Sequence, residues 1–221
     1  MIEVRNLKKV YDGVPAVDGV SFSICKGHLV AMLGPNGAGK SSVINILCTS
    51  SDFDGGSAYI NGLKLGRQNG RIRKNIGVVF QNGVLDERLT IRENLRVRAN
   101  FYGIRGNKLE ETINETAEMT GITDILDKYY GKLSGGQKRR CDIARALIHK
   151  PKILFLDEPT SGLDPEMCQE LWETIDKIRY KNDMTILMTT HYMDDAKRAD
   201  RIITMKKGRV TFDGVPWELG I

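Results

Sequence analysis

Short unbroken apolar runs and longer stretches of helical period divide this chain between them. Residues 29–33 (LVAML), 76–80, 153–156 (ILFL) and 185–190 are nearly continuous in apolar or β-branched residues, the pattern of strands buried on both faces. Residues 2–11 and 17–24, with Gly13 and Pro15 between them, predict an N-terminal hairpin. A further strand is expected at 59–62, and two more on either side of Gly208. Residues 40–47 have helical character, and Met167, Leu171, Ile175 and Ile178 form one face of a helix starting at Pro165. From Thr90 the texture changes. Ile91, Leu95 and Ala99, then Leu109, Ile113 and Ala117, recur at a spacing of four, punctuated by Gly103, Gly106 and Gly121. Alternating strands and helices argue for an α/β fold with a mainly parallel sheet. The expected organisation is a single domain over 1–221, with a core lobe at about 1–86 and 152–221 and an inserted α-helical lobe at about 87–151.

Composition narrows the class. With 221 residues, 41% hydrophobic and 28% charged, the chain can bury a sizeable core and shows no bias to disorder. Its apolar stretches fall far short of the ~20 residues that cross a bilayer, so it is not expected to form a membrane channel itself. The opening Met1-Ile2-Glu3-Val4-Arg5 has no apolar signal core, and a cytosolic location is expected. Cys25, Cys48, Cys141 and Cys168 form no C-x-x-C pair and are expected to be reduced and mostly buried. The formal net charge of +5 could suit nucleic acid or an anionic membrane face. The basic residues at 67–74, 138–140 and 206–207 are interrupted, however, and read as a solvated surface.

Between the strand 29–33 and the helix 40–47 stands Gly34-Pro35-Asn36-Gly37-Ala38-Gly39-Lys40-Ser41-Ser42, a match to G-x-x-x-x-G-K-[ST]. Glycines let backbone N–H groups turn inward around phosphate oxygens. Lys40 adds a cation at the β and γ phosphates, and the Ser41 hydroxyl can ligate magnesium. The loop establishes only that a nucleotide is bound. Leu133-Ser134-Gly135-Gly136-Gln137 stands between this loop and the acidic strand end Asp157-Glu158.

In order along the chain stand the phosphate loop, Gln81, residues 133–137, Asp157-Glu158, Ser161-Gly162-Leu163-Asp164 and His191. Together they resemble the ATP-binding cassette (ABC) transporter family over essentially the whole length. The resemblance implies a P-loop NTPase core with an N-terminal antiparallel β subdomain and an inserted helical lobe. It implies ATP and Mg2+ as cofactors, and an ATPase coupled to transport. It further implies that Tyr11 stacks on adenine, that Ser41, Gln81 and Asp157 serve the metal, and that Glu158 polarises the attacking water. Gln81 and His191 complete the catalytic set, His191 as a switch touching the γ-phosphate. Ser134, Gly135, Gly136 and Gln137 would contact ATP held by the opposite subunit of a homodimer or heterodimer. Ser161 and Asp164 would form a loop at the dimer interface. His28 and His149 carry no such role and read as surface or packing residues.

Residues 82–95 and 190–196 further resemble the ATPase subunits of bacterial ABC-2 exporters. Their membrane domain is commonly a separate polytopic chain, which would hold this one at the cytoplasmic face of the cell membrane. A soluble cassette acting on DNA or the ribosome is the alternative. Only 51 residues separate Gln81 from Leu133, too few for the long coiled coil of the chromosome class, and the single cassette departs from the fused pair of translation-type members. No nucleic acid is therefore expected.

Overall fold

The computed structural model describes residues 1–220. The N-terminal sheet begins with the antiparallel hairpin β1 (Ile2–Tyr11) and β2 (Val14–Ile24). Asp12 and Gly13 form its turn at φ 48° and 80°, the left-handed pair that a two-residue hairpin favours. β2 starts three residues before its predicted position, with Pro15 inside the strand. Its place at the sheet edge, in the order β2-β1-β4-β5, is where a missing N–H is tolerated.

β3 (Leu29–Leu33) leads into α1 (Lys40–Leu47). β4 (Gly55–Ile60), β5 (Leu63–Lys64), α2 (Asn69–Arg73) and β6 (Ile76–Val79) follow. The strand expected at 59–62 thus begins earlier and stops before Asn61-Gly62, which turn at φ 51° and 75°. The helical stretch comprises α3 (Ile91–Phe101), α4 (Asn107–Thr120) and α5 (Gly135–Leu147). β7 (Ile153–Asp157), α6 (Pro165–Asn182), β8 (Thr185–Thr190), α7 (Met193–Ala196), β9 (Arg201–Lys206) and β10 (Arg209–Gly214) complete the chain.

The second sheet runs β10-β9-β3-β8-β7-β6, parallel throughout except for β10. Its strands alternate between two cores, as a period of two requires. Val30, Met32, Phe155 and Leu187 face α1 and the N-terminal sheet. Leu29, Ala31, Leu154, Leu156 and Met188 face α5 and α6. A third cluster joins Ile91 and Leu95 of α3, Ile113 and Ala117 of α4, and Cys141, Ala144 and Ile148 at α5. α5 therefore packs on two sides at once, its Ile143, Ala146 and Leu147 belonging to the sheet-facing core.

Cys48 and Cys141 are buried and Cys168 partly so, but Cys25 is exposed, because it opens the turn that follows β2. The expectation of mostly buried thiols holds for only half of them. Burial pushes the Cys141 thiol up to about 12.

Candidate active site

In an open parallel sheet, functional groups collect beyond the carboxyl ends of the strands. Four strand ends converge in this way. β3 delivers the loop at 34–39, β6 delivers Gln81, β7 ends in Asp157 and is followed by Glu158, and β8 is followed by His191. A cavity of about 370 Å3 lies there, lined by Ala16, Gly37, Gly39, Lys40, Ser41 and Gln81 among others, with Glu158 in its wall. A larger cavity of about 540 Å3 at the opposite edge is lined by Lys26, Lys152 and Met184, without a converging catalytic set.

The loop is shaped for close approach to an anion. Gly39 has φ 101°, and a β-carbon there would lie 2.2 Å from Ala16 O, so no side chain fits. Lys40 is 4% exposed and its Nζ donates to Gly34 O at 2.7 Å and Pro35 O at 3.1 Å. Burial lowers the pKa of its ammonium, opposed by the charges of Glu158 and Asp157. A partly desolvated cation of this kind gains strongly from an added anion.

Ser41 Oγ donates to Asp157 Oδ1 at 3.1 Å, and Thr189 Oγ1 donates to the same oxygen. Asp157 is 6% exposed, a costly position for a carboxylate without partners. A serine hydroxyl and one carboxylate beside a phosphate loop suit Mg2+, which takes oxygen ligands and keeps most of its waters. Among the described residues, no cluster of three or more His, Cys, Asp or Glu side chains could hold a metal by protein ligands alone.

Glu158 is the meeting point. Its carboxylate lies 3.8 Å from Lys40 Nζ, accepts from Gln81 Nε2 at 3.3 Å, and stands 3.4 Å from His191 Nδ1. That His191 nitrogen is buried and has no hydrogen bond. Glu158 itself is 8% exposed and sits at φ 46°, a left-handed conformation costing roughly 1–2 kcal/mol for a residue with a side chain. Its N–H is fixed by Thr189, to O at 3.2 Å and to Oγ1 at 3.0 Å.

The remaining candidates lie elsewhere in the chain. Ser134 and Gly135 are exposed, and Ser134 with Gln137 forms a reciprocal capping box at the start of α5, at 3.3 and 3.2 Å. None of residues 134–137 lines the phosphate cavity of its own chain. Asp164 caps α6 by accepting from Met167 N at 2.9 Å, and Ser161 N donates to Glu158 O at 3.2 Å. Tyr11 is 43% exposed, lies outside the cavity lining, and has its hydroxyl 3.4 Å from Ser51 Oγ.

Sequence reasoning missed several groups that hold these parts. Asp195 accepts from Thr160 Oγ1, from Thr190 Oγ1 at 3.0 Å and from Trp172 Nε1 at 3.0 Å, tying the segment after Glu158 to the one before His191. Arg139 bonds to backbone carbonyls at the ends of β6 and β7. Its signal was a charged residue inside a helix whose neighbours Cys141, Ile143 and Ala144 are apolar.

A phosphate loop, an acidic strand end and a capped glycine-rich helix start on one parallel sheet define an ATP-hydrolysing cassette. The profile of the ABC transporter family matches residues 17–161, and the chain belongs to that family as an ATP-binding and ATP-hydrolysing subunit. It is 38% identical over 219 residues to the Nod factor export ATP-binding protein I of Rhizobium sp. (strain N33), covering 99% of this chain and 72% of that one. It is also 38% identical over 216 residues to the daunorubicin resistance ATP-binding protein DrrA2 of Streptomyces coeruleorubidus, covering 97% and 67% respectively. The ATP-binding cassette MJ0796, solved as a dimer in a post-hydrolysis state with ADP and Pi, superposes with a TM-score of 0.88 at 29% identity, covering 98% of this chain and 99% of that one.

Proposed function

We propose that this chain is the motor subunit of an exporter, working as a dimer on the cytoplasmic side of a separate membrane-domain partner. The convergence of Lys40, Gln81 and His191 on the Glu158 carboxylate is the observation that carries this reading. Relatives named for Nod factor export and daunorubicin resistance support the direction of transport and weigh against action on nucleic acid or the ribosome. No helix among the described residues is long and apolar enough to cross a membrane, and in this proposal the path through the bilayer is supplied by the membrane-domain partner.

In this reading Lys40 and backbone N–H groups of residues 36–42 bind the phosphates, and Tyr11 stacks on the adenine. Ser41, Asp157 and Gln81 hold Mg2+, which when bound neutralises phosphate charge. Glu158 accepts the proton of the attacking water while Gln81 and His191 orient its carboxylate. The α5 N-terminus of each chain, from Ser134 to Gln137, meets the ATP of the other, with Ser161 and Asp164 beside the seam. Such a site is complete only across two copies, as in the dimeric relative. The two lobes, 87–151 and the remainder, move relative to each other as the dimer closes.

Val97 and Phe101 stand four apart on one face of α3, 49% and 78% exposed, and Val84 is exposed close by in sequence to Gln81. This apolar surface suits cytosolic loops of the membrane partner. Affinity purification of the tagged chain from its own cells in mild detergent tests the proposal. A polytopic membrane protein in near-stoichiometric amount is the expected result. Co-purifying ribosomes or nucleic acid, without a membrane protein, would contradict it.

A further inference from the structure

In the proposed dimer, the start of α5 meets the ATP of the opposite chain, whereas Gln81 and Glu158 act on the ATP of their own. Arg139, just over one turn into that helix, physically spans the two. The residue is 7% exposed, and its guanidinium gives every bond to backbone carbonyls. Nη1 reaches Phe80 O at 2.5 Å and Gln81 O at 3.4 Å beyond β6. Nη2 reaches Asp157 O at 2.9 Å and Glu158 O at 2.8 Å, and Nε reaches Pro159 O at 2.8 Å, all at the end of β7.

The planar fork of arginine is what permits this, because it projects five donors in fixed directions and keeps its charge when buried. Glu158, in its left-handed conformation, is thereby fixed from both sides, its N–H by Thr189 and its carbonyl by Arg139. Strained backbone of this type persists only where its surroundings over-determine it. Further along α5, Arg145 Nη2 donates to Val78 O at 2.5 Å. This helix thus grips the chain before and at Gln81.

We propose that Arg139 is a positioning residue that couples the two ATP sites. Engagement of the α5 N-terminus by the opposite nucleotide sets, through this guanidinium, the placement of Glu158 and Gln81 on the chain's own nucleotide. The proposal rests on the dimer reading above and adds to it a route by which one site senses the other. Arg139 does not line the phosphate cavity and acts only through the backbone it holds.

The test uses the full chain with Arg139→Lys and Arg139→Ala. The lysine head keeps the charge but cannot reach both strand ends. Magnesium-dependent ATPase activity is expected to fall about a hundredfold in both, since small misplacements of catalytic groups carry penalties of this size. Affinity for a fluorescent ATP analogue should stay within about twofold, which separates loss of transition-state stabilisation from loss of ground-state binding. The sigmoidal dependence of rate on ATP should become hyperbolic, and Arg139→Lys combined with Glu158→Gln should still dimerise with ATP. Parental rate and cooperativity in Arg139→Lys would overturn the coupling while leaving the ATPase reading intact. Rate, nucleotide affinity and thermal midpoint all falling together in both variants would also overturn it, by making Arg139 a packing residue. If Glu158→Gln alone fails to dimerise with ATP, the dimer reading fails and takes the coupling with it.

Discussion

Glu158 carries three demands on one carboxylate, being buried, left-handed at φ 46° and within 3.8 Å of Lys40 Nζ. Glu158→Gln preserves shape but removes the proposed base, so turnover should drop by about 10²–10⁴-fold with ATP binding retained, measured by phosphate release and by equilibrium binding. Lys40→Ala removes a charge-assisted contact to phosphate and should weaken ATP binding about ten- to a hundredfold, read by titration with a fluorescent analogue. Both residues were legible in the sequence because their spacing within a motif is itself the signal. Arg139 and Asp195 were not, since a charge among charged neighbours ordinarily faces water, and only the packing of α5 and α7 against the strand ends turns these inward. Ser134 and Asp164 were noticed for a role across the dimer, yet within the chain both cap helices, a function also written in the pairs Ser134/Gln137 and Asp164/Pro165.

At the scale of elements, β3, β7 and β8 could be placed to within a residue because strands buried on both faces leave an uninterrupted apolar run. β5, α2 and α7, of two, five and four residues, are too short to show a period. α3 is opened by a capping box, with Glu93 N donating to Thr90 Oγ1 at 3.2 Å and Thr90 N to Glu93 Oε2 at 2.8 Å. Thr90→Ala is expected to cost about 1 kcal/mol in chemical denaturation. The end of α5 is joined to the end of α3 by a stack of His149 on Tyr102, with ring centroids 3.9 Å apart, and to β6 by His149 Nε2 donating to Ile76 O at 2.9 Å. Burial, aided by the charges of Arg98 and Arg145, lowers the His149 pKa to about 4. The unfolded chain then binds the extra proton. The contribution of the neutral ring is complete above about pH 6.5 and is lost as pH falls toward 4, reaching about 2 kcal/mol of lost stability near pH 5. Thermal midpoints measured from pH 7.5 to 5 should fall less steeply for His149→Gln than for the parent, and equal slopes would contradict this assignment.

Over the whole molecule, alternating strands and helices gave the layered α/β architecture, and the long helical stretch from Thr90 gave the third hydrophobic cluster. The sequence was silent on which surface would remain uncovered, because Val97 and Phe101 have the same helical period as the buried Ile91, Leu95 and Ala99. Phe101→Asp should leave the ATPase activity and thermal midpoint of the isolated chain unchanged while reducing recovery of the membrane partner in detergent pull-downs. The central claim is that catalysis is assembled from two copies around bound nucleotide. Sedimentation velocity of Glu158→Gln with and without ATP tests it most directly. A shift from monomer to dimer on adding ATP, absent when Lys40→Ala is combined with it, is the expected result. A single monomeric boundary at saturating ATP would contradict the account.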